Sequence, residues 1–144
     1  MDGARASRRP GFCLTLPRDP RGMDRLDAEI RRFLAEIGAC EVFDLVLLAR
    51  EAVANAMVHG LAGRTDGRVR FSLELDGADA VMEVEDPGDG FDWRGRAIRL
   101  PEGLTESGRG RYIIHAYADA VEYNDKGNRI TIRKRLAQRK GDER

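Results

Sequence analysis

The sequence predicts an α+β fold: a two-layer α/β sandwich in which helices cover one face of a mixed, mainly antiparallel sheet. Two observations favour this class. Segments with alternating apolar residues come in pairs joined by short turns, as antiparallel hairpins do, rather than in alternation with helices. The chain of 144 residues, with a hydrophobic content of 42%, is also long enough for one domain with a core and too short for two.

The expected elements follow the order strand, two helices, two strands, helix, two strands. They cover residues 12–17, 24–37, 42–58, 69–75, 80–86, 111–119, 120–124 and 129–134. Pro17 and Pro20 stop the first strand. Apolar residues recur at helical spacing up to Ile37, and Gly38 ends that helix. The second helix ends at Gly60, and turns at LDGAD and DKGN join the two pairs of strands.

Charge and composition narrow the classes of partner. The formal net charge is zero, so no global field steers the chain towards nucleic acid or an acidic membrane, and we expect direct contact with neither. Basic clusters near both ends predict a flexible leader over residues 1–11 and a charged tail over residues 137–144. No apolar stretch approaches the roughly 18 residues of a membrane span. Cys13 and Cys40 lack metal-ligand spacing, so we expect a reducing, cytoplasmic location.

The second helix carries polar residues within an apolar surface. At about 100° per residue, Glu51, Asn55 and His59 lie on one stripe, and apolar residues border that stripe on both sides. A helix that is apolar almost all round is a buried helix, so Glu51 and Asn55 are predicted to lie in apolar surroundings. Three alternatives stay open: Glu51 can extend into solvent, Asn55 can cap a neighbouring loop, and His59 can lie near the helix C-terminal dipole.

The stretch VEDPGDGFD at residues 84–92 places a carboxylate where the core is expected. Asp86 continues the face that buries Val84, and an unpaired buried charge costs several kcal/mol. Gly88 and Gly90 remove side chains just after it, which lets another group approach the main chain. The stretch is therefore either a tight turn with a buried cap or a ligand site.

The stretch SGRG at residues 107–110 is a third candidate. Gly108 and Gly110 are predicted to precede the last long helix directly, where free N–H groups and the helix dipole suit a phosphate chain. The connection over residues 87–110 is long for a compact domain, as lids often are. The alternative is a flexible hinge with an N-cap at Ser107.

Together these residues resemble a known superfamily. EAVANAMVHG, DPGDGFD and SGRGRYII resemble the N, G1 and G2 boxes of the GHKL (HATPase_c) ATPases. The single-domain layout and the GRGRYIIHAYADAVEY region resemble the anti-sigma-factor serine/threonine kinases of bacterial partner switching, of the RsbW and SpoIIAB type. The resemblance covers roughly residues 12–136 and implies a Bergerat ATP-binding fold with a lid at residues 92–107.

The resemblance also implies a role for each matched residue. Glu51 would be the catalytic base, Asn55 would hold Mg²⁺ through its amide oxygen, and Asp86 would accept a hydrogen bond from the amino group of adenine. Gly88 and Gly90 would let ATP and the lid pass close to the main chain. The phosphates would be wrapped, chiefly by main-chain N–H groups, by Gly108, Arg109, Gly110 and Arg111.

Two positions depart from the pattern of the superfamily. Position 111 is arginine, where many relatives carry an apolar residue. Gly127 is followed by Asn128, where many relatives have Gly-Thr near adenine. Asn128 retains the ability to form hydrogen bonds at that point.

The implied function is that of an ATP- and Mg²⁺-dependent serine/threonine protein kinase and anti-sigma factor. It would phosphorylate a STAS-domain anti-sigma-factor antagonist, sequester a sigma factor and form a homodimer, through the edge of its N-terminal strand. The only histidines are His59 and His115, and no coiled-coil segment accompanies them, so transfer to a Ser or Thr hydroxyl of a separate protein is expected. The alternative is a nucleotide-dependent sequestering module of the same fold without kinase activity.

Overall fold

The computed structural model describes residues 9–40, 42–61, 67–89 and 106–136. Within these ranges it contains one five-stranded sheet, three α-helices and a short π-helical turn. The elements are β1 (Gly11–Pro17), α1 (Pro20–Ile37), α2 (Val42–Asn55), the π-helical turn (Ala56–Gly60), β2 (Arg68–Asp76), β3 (Asp79–Glu85), α3 (Glu106–Tyr117), β4 (Ala120–Tyr123) and β5 (Arg129–Arg135). No helix in the described ranges combines the length and the apolar character that crossing a bilayer requires.

The sheet has the strand order β1-β2-β3-β5-β4, and each of its four pairings is antiparallel. The register aligns Leu14 with Phe71, Phe71 with Val84, and Val84 with Ile130, so apolar residues of four strands share one face. The helices pack on this face, and the α+β sandwich with a mainly antiparallel sheet is confirmed. The strands keep this register because a shift by one residue would turn every apolar side chain towards solvent.

Helix α1 begins at Pro20, four residues before the predicted start at Asp24. Asp19 is its N-cap, and one carboxylate oxygen accepts a hydrogen bond from the Gly22 N–H at 3.0 Å. Pro20 occupies the first helical turn, where its missing N–H costs nothing. The prediction took Pro20 only as the end of a strand. At the other end Gly38, with φ 74°, ends the helix as predicted.

Helix α2 does not continue regularly to Gly60. It is α-helical from Val42 to Asn55, and the last five residues, Ala56–Gly60, form a π-helical turn. Such turns are rare and are found frequently at functional sites. The assumption of about 100° per residue therefore fails beyond Asn55, and His59 is exposed to solvent.

The β2–β3 hairpin carries a network of ion pairs on the side of the sheet that faces solvent. Arg133 contacts Asp76 at 2.8 Å and Asp79 at 3.1 Å, Arg135 contacts Asp79 at 2.7 Å, and Arg9 contacts Asp76 at 3.7 Å. The hydrogen bond from Arg133 is the main cause that lowers the pKa of Asp76. The hydrogen bond from Arg135 is the main cause that lowers the pKa of Asp79.

These lowered pKa values predict a loss of stability in acid. The two carboxylates ionise below the unfolded value of about 3.9, so they stabilise the fold above that pH and cease to do so as the pH falls through their folded pKa. We expect the urea midpoint of the wild type to fall between about pH 5 and pH 3. The fall should be smaller in Asp79→Asn than in Glu83→Gln, since Glu83 is an exposed carboxylate on the same strand. Equal falls in both variants would contradict the role of Asp79.

Candidate functional site

The candidate site is centred on Asp86, the residue that follows the last residue of β3. Its carboxylate Oδ1 accepts a hydrogen bond from the Gly88 N–H at 2.7 Å, which closes a tight Asx-type turn. Asp86 extends the face of β3 that contains Val84, and it meets the end of the helix that covers this face. The predicted orientation of Asp86 is therefore confirmed.

Gly60, the last residue of the π-helical turn, lies directly against the Asp86 carboxylate. A Cβ atom at position 60 would overlap with the carboxyl carbon and both carboxyl oxygens of Asp86. A Cβ atom at Gly88 would lie 2.7 Å from the Gly60 carbonyl oxygen and 2.9 Å from Asp86 Oδ1. Two chain segments, the end of the π-helical turn and the turn at residues 86–88, thus meet at distances that only glycine permits. The sequence predicted Gly60 only as a helix end, since its contact with Asp86 spans two strands of intervening chain.

The sequence predicts Glu51, Asn55 and Asp86 in buried, apolar surroundings, and the structure buries them only in part. All three side chains are half-buried, and no polar or charged residue is fully buried anywhere in the described part of the chain. Contacts with α1, α3 and β3 bury one part of the helix surface, whereas Glu51 and Asn55, like Phe43 at the start of the helix, keep access to solvent. The Glu51 and Asp86 carboxylates therefore keep part of their hydration.

One helix links these residues. Glu51 and Asn55 lie one α-helical turn apart in α2, and the π-helical turn that follows leads directly to the contact between Gly60 and Asp86. The helix that bears Glu51 and Asn55 is thereby packed at its end against Asp86. His59 lies in the same turn and is exposed.

The prediction that Gly108 and Gly110 directly precede a helix is wrong. Both residues lie in the first turns of α3, which begins at Glu106. Only the first four N–H groups of a helix lack an intrahelical partner. In α3 the described ones belong to residues 106–108, which include Gly108 but not Arg109, Gly110 or Arg111, because the N-cap residue before the helix accounts for the fourth. Helix α3 packs against α2. The side chains of residues 106–111 lie outside the described part of the chain.

The predicted lid, leader and tail lie wholly or partly outside the described residues. Gly90 and residues 92–105 of the predicted lid lie outside the described residues, whereas residues 106 and 107 of that lid begin α3. The predicted leader ends one residue inside β1, which begins at Gly11. The whole of the predicted tail, residues 137–144, also lies outside the described ranges.

Asn128 contacts Asp86 from the β4–β5 turn, directly before β5 begins at Arg129. The Asp86 N–H donates to the Asn128 carbonyl oxygen at 3.0 Å, and the Asn128 side-chain amide donates to the Asp86 carbonyl oxygen at 2.8 Å. Its partner Asn124 lies at the end of β4 and contacts Asn128 in turn. The turn sequence NDKGN signals a side-chain cap at Asn124, but no sequence spacing indicates a link to a residue 42 positions away.

Glu51 and Asn55 also suit the binding of one divalent cation, to which the protein would supply few ligands. The described residues contain no group of three or more His, Cys, Asp or Glu side chains that could hold a metal ion. Asn55 offers a hard amide oxygen that is half-exposed, and the Glu51 carboxylate lies one helical turn before it. Mg²⁺ is commonly held by one or two protein oxygens together with waters and substrate phosphates rather than by a complete protein cage. The donor set therefore fits Mg²⁺ that enters with a phosphate ligand.

Comparisons with known proteins identify relatives for this arrangement. The model of the family described as "Histidine kinase-like ATPase domain" matches residues 16–134. An anti-sigma F factor of Clostridium beijerinckii is 31% identical over 104 residues, which cover 67% of this chain and 72% of the relative. An anti-sigma F factor of Clostridium novyi is 33% identical over 104 residues, which again cover 67% of this chain and 72% of the relative.

A solved structure supports the fold. The histidine kinase domain from the Erythrobacter litoralis EL346 blue-light activated histidine kinase superposes with a TM-score of 0.50 and 22% identity. The alignment covers 86% of this chain and 65% of the other, so the chain spans less than two thirds of that protein. At this identity the likeness concerns the fold alone, and it agrees with the predicted ATPase sandwich.

Proposed function

This chain belongs to the family of histidine kinase-like ATPase domains, and on that basis we propose that it is an ATP-dependent serine/threonine protein kinase that also acts as an anti-sigma factor. The observation that carries the proposal is the Asp86 carboxylate, which lies against Gly60 at the end of the helix that bears Glu51 and Asn55. The names of the clostridial relatives support the second half of the proposal.

Asp86 recognises the base in this proposal. Its Oδ1 already accepts the Gly88 N–H, which fixes the plane of the carboxylate, and the side chain is half-exposed, so an amino group of adenine can reach it. The absence of side chains at Gly60 and Gly88 keeps the carboxylate close to the main chain on both sides.

Glu51 acts as the base in the transfer step. It accepts the proton of a Ser or Thr hydroxyl of the partner protein as that oxygen forms a bond to the γ-phosphorus. The bond between the γ-phosphorus and the oxygen that bridges to the β-phosphate breaks, and ADP leaves with that electron pair. Glu51 suits this role because it is half-exposed and lies one turn before Asn55 on the same helix.

Asn55 would hold Mg²⁺ through its amide oxygen, and the free N–H groups of residues 106–108 at the start of α3 would bind phosphate oxygens. The ion supplies charge neutralisation at the phosphates when it is bound. Gly108 remains a candidate for these main-chain contacts. Arg109, Gly110 and Arg111 would act only through other groups, since their N–H groups fall within the helical hydrogen-bond pattern.

The partners in this proposal are a STAS-domain anti-sigma-factor antagonist, which carries the acceptor hydroxyl, and a sigma factor. Phosphorylation would release the antagonist and free the kinase to bind sigma factor, because the two compete for one protein. The free, exposed thiols of Cys13 and Cys40 support a location in the reducing cytoplasm. β1 forms one edge of the described sheet, which supports a homodimer through strand pairing.

The test begins with calorimetry of the full chain with ATP and Mg²⁺. Proteins captured from native lysate by the full chain, with and without ADP, are then incubated with the kinase and radiolabelled ATP. The proposal requires uptake of ATP and label on Ser or Thr of a captured protein. ATP binding without label on any partner would favour the sequestering module, and no ATP binding would overturn both functions.

We expect Asn55→Ala to lose the Mg²⁺ dependence of ATP binding. The wild type should bind ATP roughly tenfold or more tightly with millimolar Mg²⁺ than with EDTA, whereas the variant should show the same weak affinity in both. Calorimetry under the two conditions measures the difference, and the EDTA condition serves as the internal control. A variant that keeps the full Mg²⁺ effect would exclude Asn55 as the ligand.

A further inference from the structure

Asn128 occupies an irregular position in the sheet. The register pairs Glu85 with Arg129, so the next pair along the two strands is Asp86 with Asn128. In a hydrogen-bonded antiparallel pair, both residues exchange N–H and C=O groups. Here only one of the two main-chain bonds is present, from the Asp86 N–H to the Asn128 carbonyl oxygen at 3.0 Å.

The second bond is replaced by a side chain. The Asn128 N–H donates instead to Asn124 Oδ1 at 3.1 Å, because in the β4–β5 turn this N–H faces Asn124. The Asn128 Nδ2 group takes its place and donates to the Asp86 carbonyl oxygen at 2.8 Å. Two hydrogen bonds therefore still join Asp86 and Asn128, although Asn128 already belongs to the β4–β5 turn.

Asn124 holds this side chain in place. Its Oδ1 accepts N–H groups of Gly127, Asn128 and Arg129, at 2.8, 3.1 and 3.1 Å, and its Nδ2 donates to Asn128 Oδ1 at 2.8 Å. The Asn128 amide must donate at one end and accept at the other, which an asparagine does and an aspartate does not. A chain of hydrogen bonds thus leads from the turn to the main chain of Asp86.

We propose that Asn128 is a positioning residue for base recognition: it holds the main chain of Asp86 so that the carboxylate, seated against Gly60, faces the 6-amino group of adenine. This inference rests on the proposed ATP-binding function and adds a residue and a specificity to it. In this proposal Asn128 acts through Asp86, because its amide donates to the Asp86 carbonyl oxygen at one end and accepts from Asn124 at the other.

Calorimetry of the full chain with two nucleotides tests this role. ATP is compared with purine riboside triphosphate, which lacks the 6-amino group, and the wild type should prefer ATP about 10- to 100-fold. In Asn128→Asp an oxygen replaces Nδ2 opposite the Asp86 carbonyl. We expect ATP affinity to fall about tenfold and the affinity for the second nucleotide to change by less than about twofold.

Two further variants separate positioning from general damage. Lys126→Gln makes the same change of charge at an exposed position of the same turn, and the preference for ATP should be unchanged. Asn124→Asp keeps the acceptor for the turn and removes the donor to Asn128, so it should lower the preference in a chain whose turn is intact. In an Asp86→Asn background, Asn128→Asp should have no further effect on the preference, as expected for two residues in one chain of contacts.

The outcomes distinguish this inference from the proposed function. An unchanged preference for ATP in both Asn128→Asp and Asn124→Asp, or an equal loss of affinity for the two nucleotides, would overturn the role of Asn128 and leave ATP binding intact. Equal binding of both nucleotides by the wild type would show that Asp86 does not read the amino group and would also overturn it. A wild type that binds neither nucleotide would refute the proposed function, and the inference with it.

Discussion

The Glu51→Gln protein is expected to bind ATP as the wild type does and to transfer phosphate about 10²- to 10⁴-fold more slowly. The amide keeps the size of the side chain but cannot accept the hydroxyl proton of the partner. Glu51 is half-exposed, and no buried partner depends on its charge in the described part of the chain, so the fold should tolerate the change. Calorimetry gives the ATP affinity, and the initial rate of label transfer to the captured partner gives the rate.

Glu83→Gln is the matched control for this experiment. Glu83 lies exposed on the solvent face of β3, away from the helices, and the same substitution there should leave both ATP affinity and transfer unchanged. A Glu51→Gln protein with the wild-type transfer rate would exclude Glu51 as the base. A parallel loss of ATP affinity and rate would instead assign Glu51 to nucleotide binding.

The second large effect is expected for Gly60→Ala. The added methyl group would overlap with the carboxyl group of Asp86, so either that side chain or the end of the helix must move. Overpacking of this kind costs about 1–3 kcal/mol of stability. ATP affinity should fall by at least about tenfold, because the displaced carboxylate no longer meets the base. Chemical denaturation and calorimetry measure the two effects separately.

Gly77→Ala provides the comparison. Gly77 lies in the turn at the other end of β3 with φ 65°, and a Cβ atom there would meet no atom within 4 Å. Its replacement should cost about 1 kcal/mol through backbone strain and leave ATP affinity unchanged. If Gly60→Ala lowered stability as Gly77→Ala does but bound ATP normally, the close contact between Asp86 and Gly60 would have no part in nucleotide binding.

The sandwich could be predicted because its signals are local. Alternation in β2 and β3 and the helical spacing in α1 are properties of short segments, and each burial pattern in the structure follows from them. The errors lie at boundaries where a single residue has two uses. A proline such as Pro20 is compatible both with the end of a strand and with the first turn of a helix. The structure shows the helix start, because Asp19 caps it by accepting a hydrogen bond from the Gly22 N–H.

The candidate site could be predicted in part for the same reason. Glu51, Asn55 and Asp86 stand out because a polar residue in an apolar pattern is visible in one segment. Their burial could not be predicted, since it depends on which neighbours cover each face after folding. Gly60 and Asn128 give no such signal, because their contacts with Asp86 join residues 26 and 42 positions apart.

The π-helical turn makes the chain length between Asn55 and Gly60 part of the architecture. An ordinary α-turn would need one residue fewer to cover the same stretch of axis, so the turn acts as an insertion that the helix has absorbed. A relative with a deletion among these five residues would rotate the following backbone by about 100° and present a side chain where the bare Cα now stands. Gains and losses of residues should therefore accumulate in the connections and be excluded from this segment.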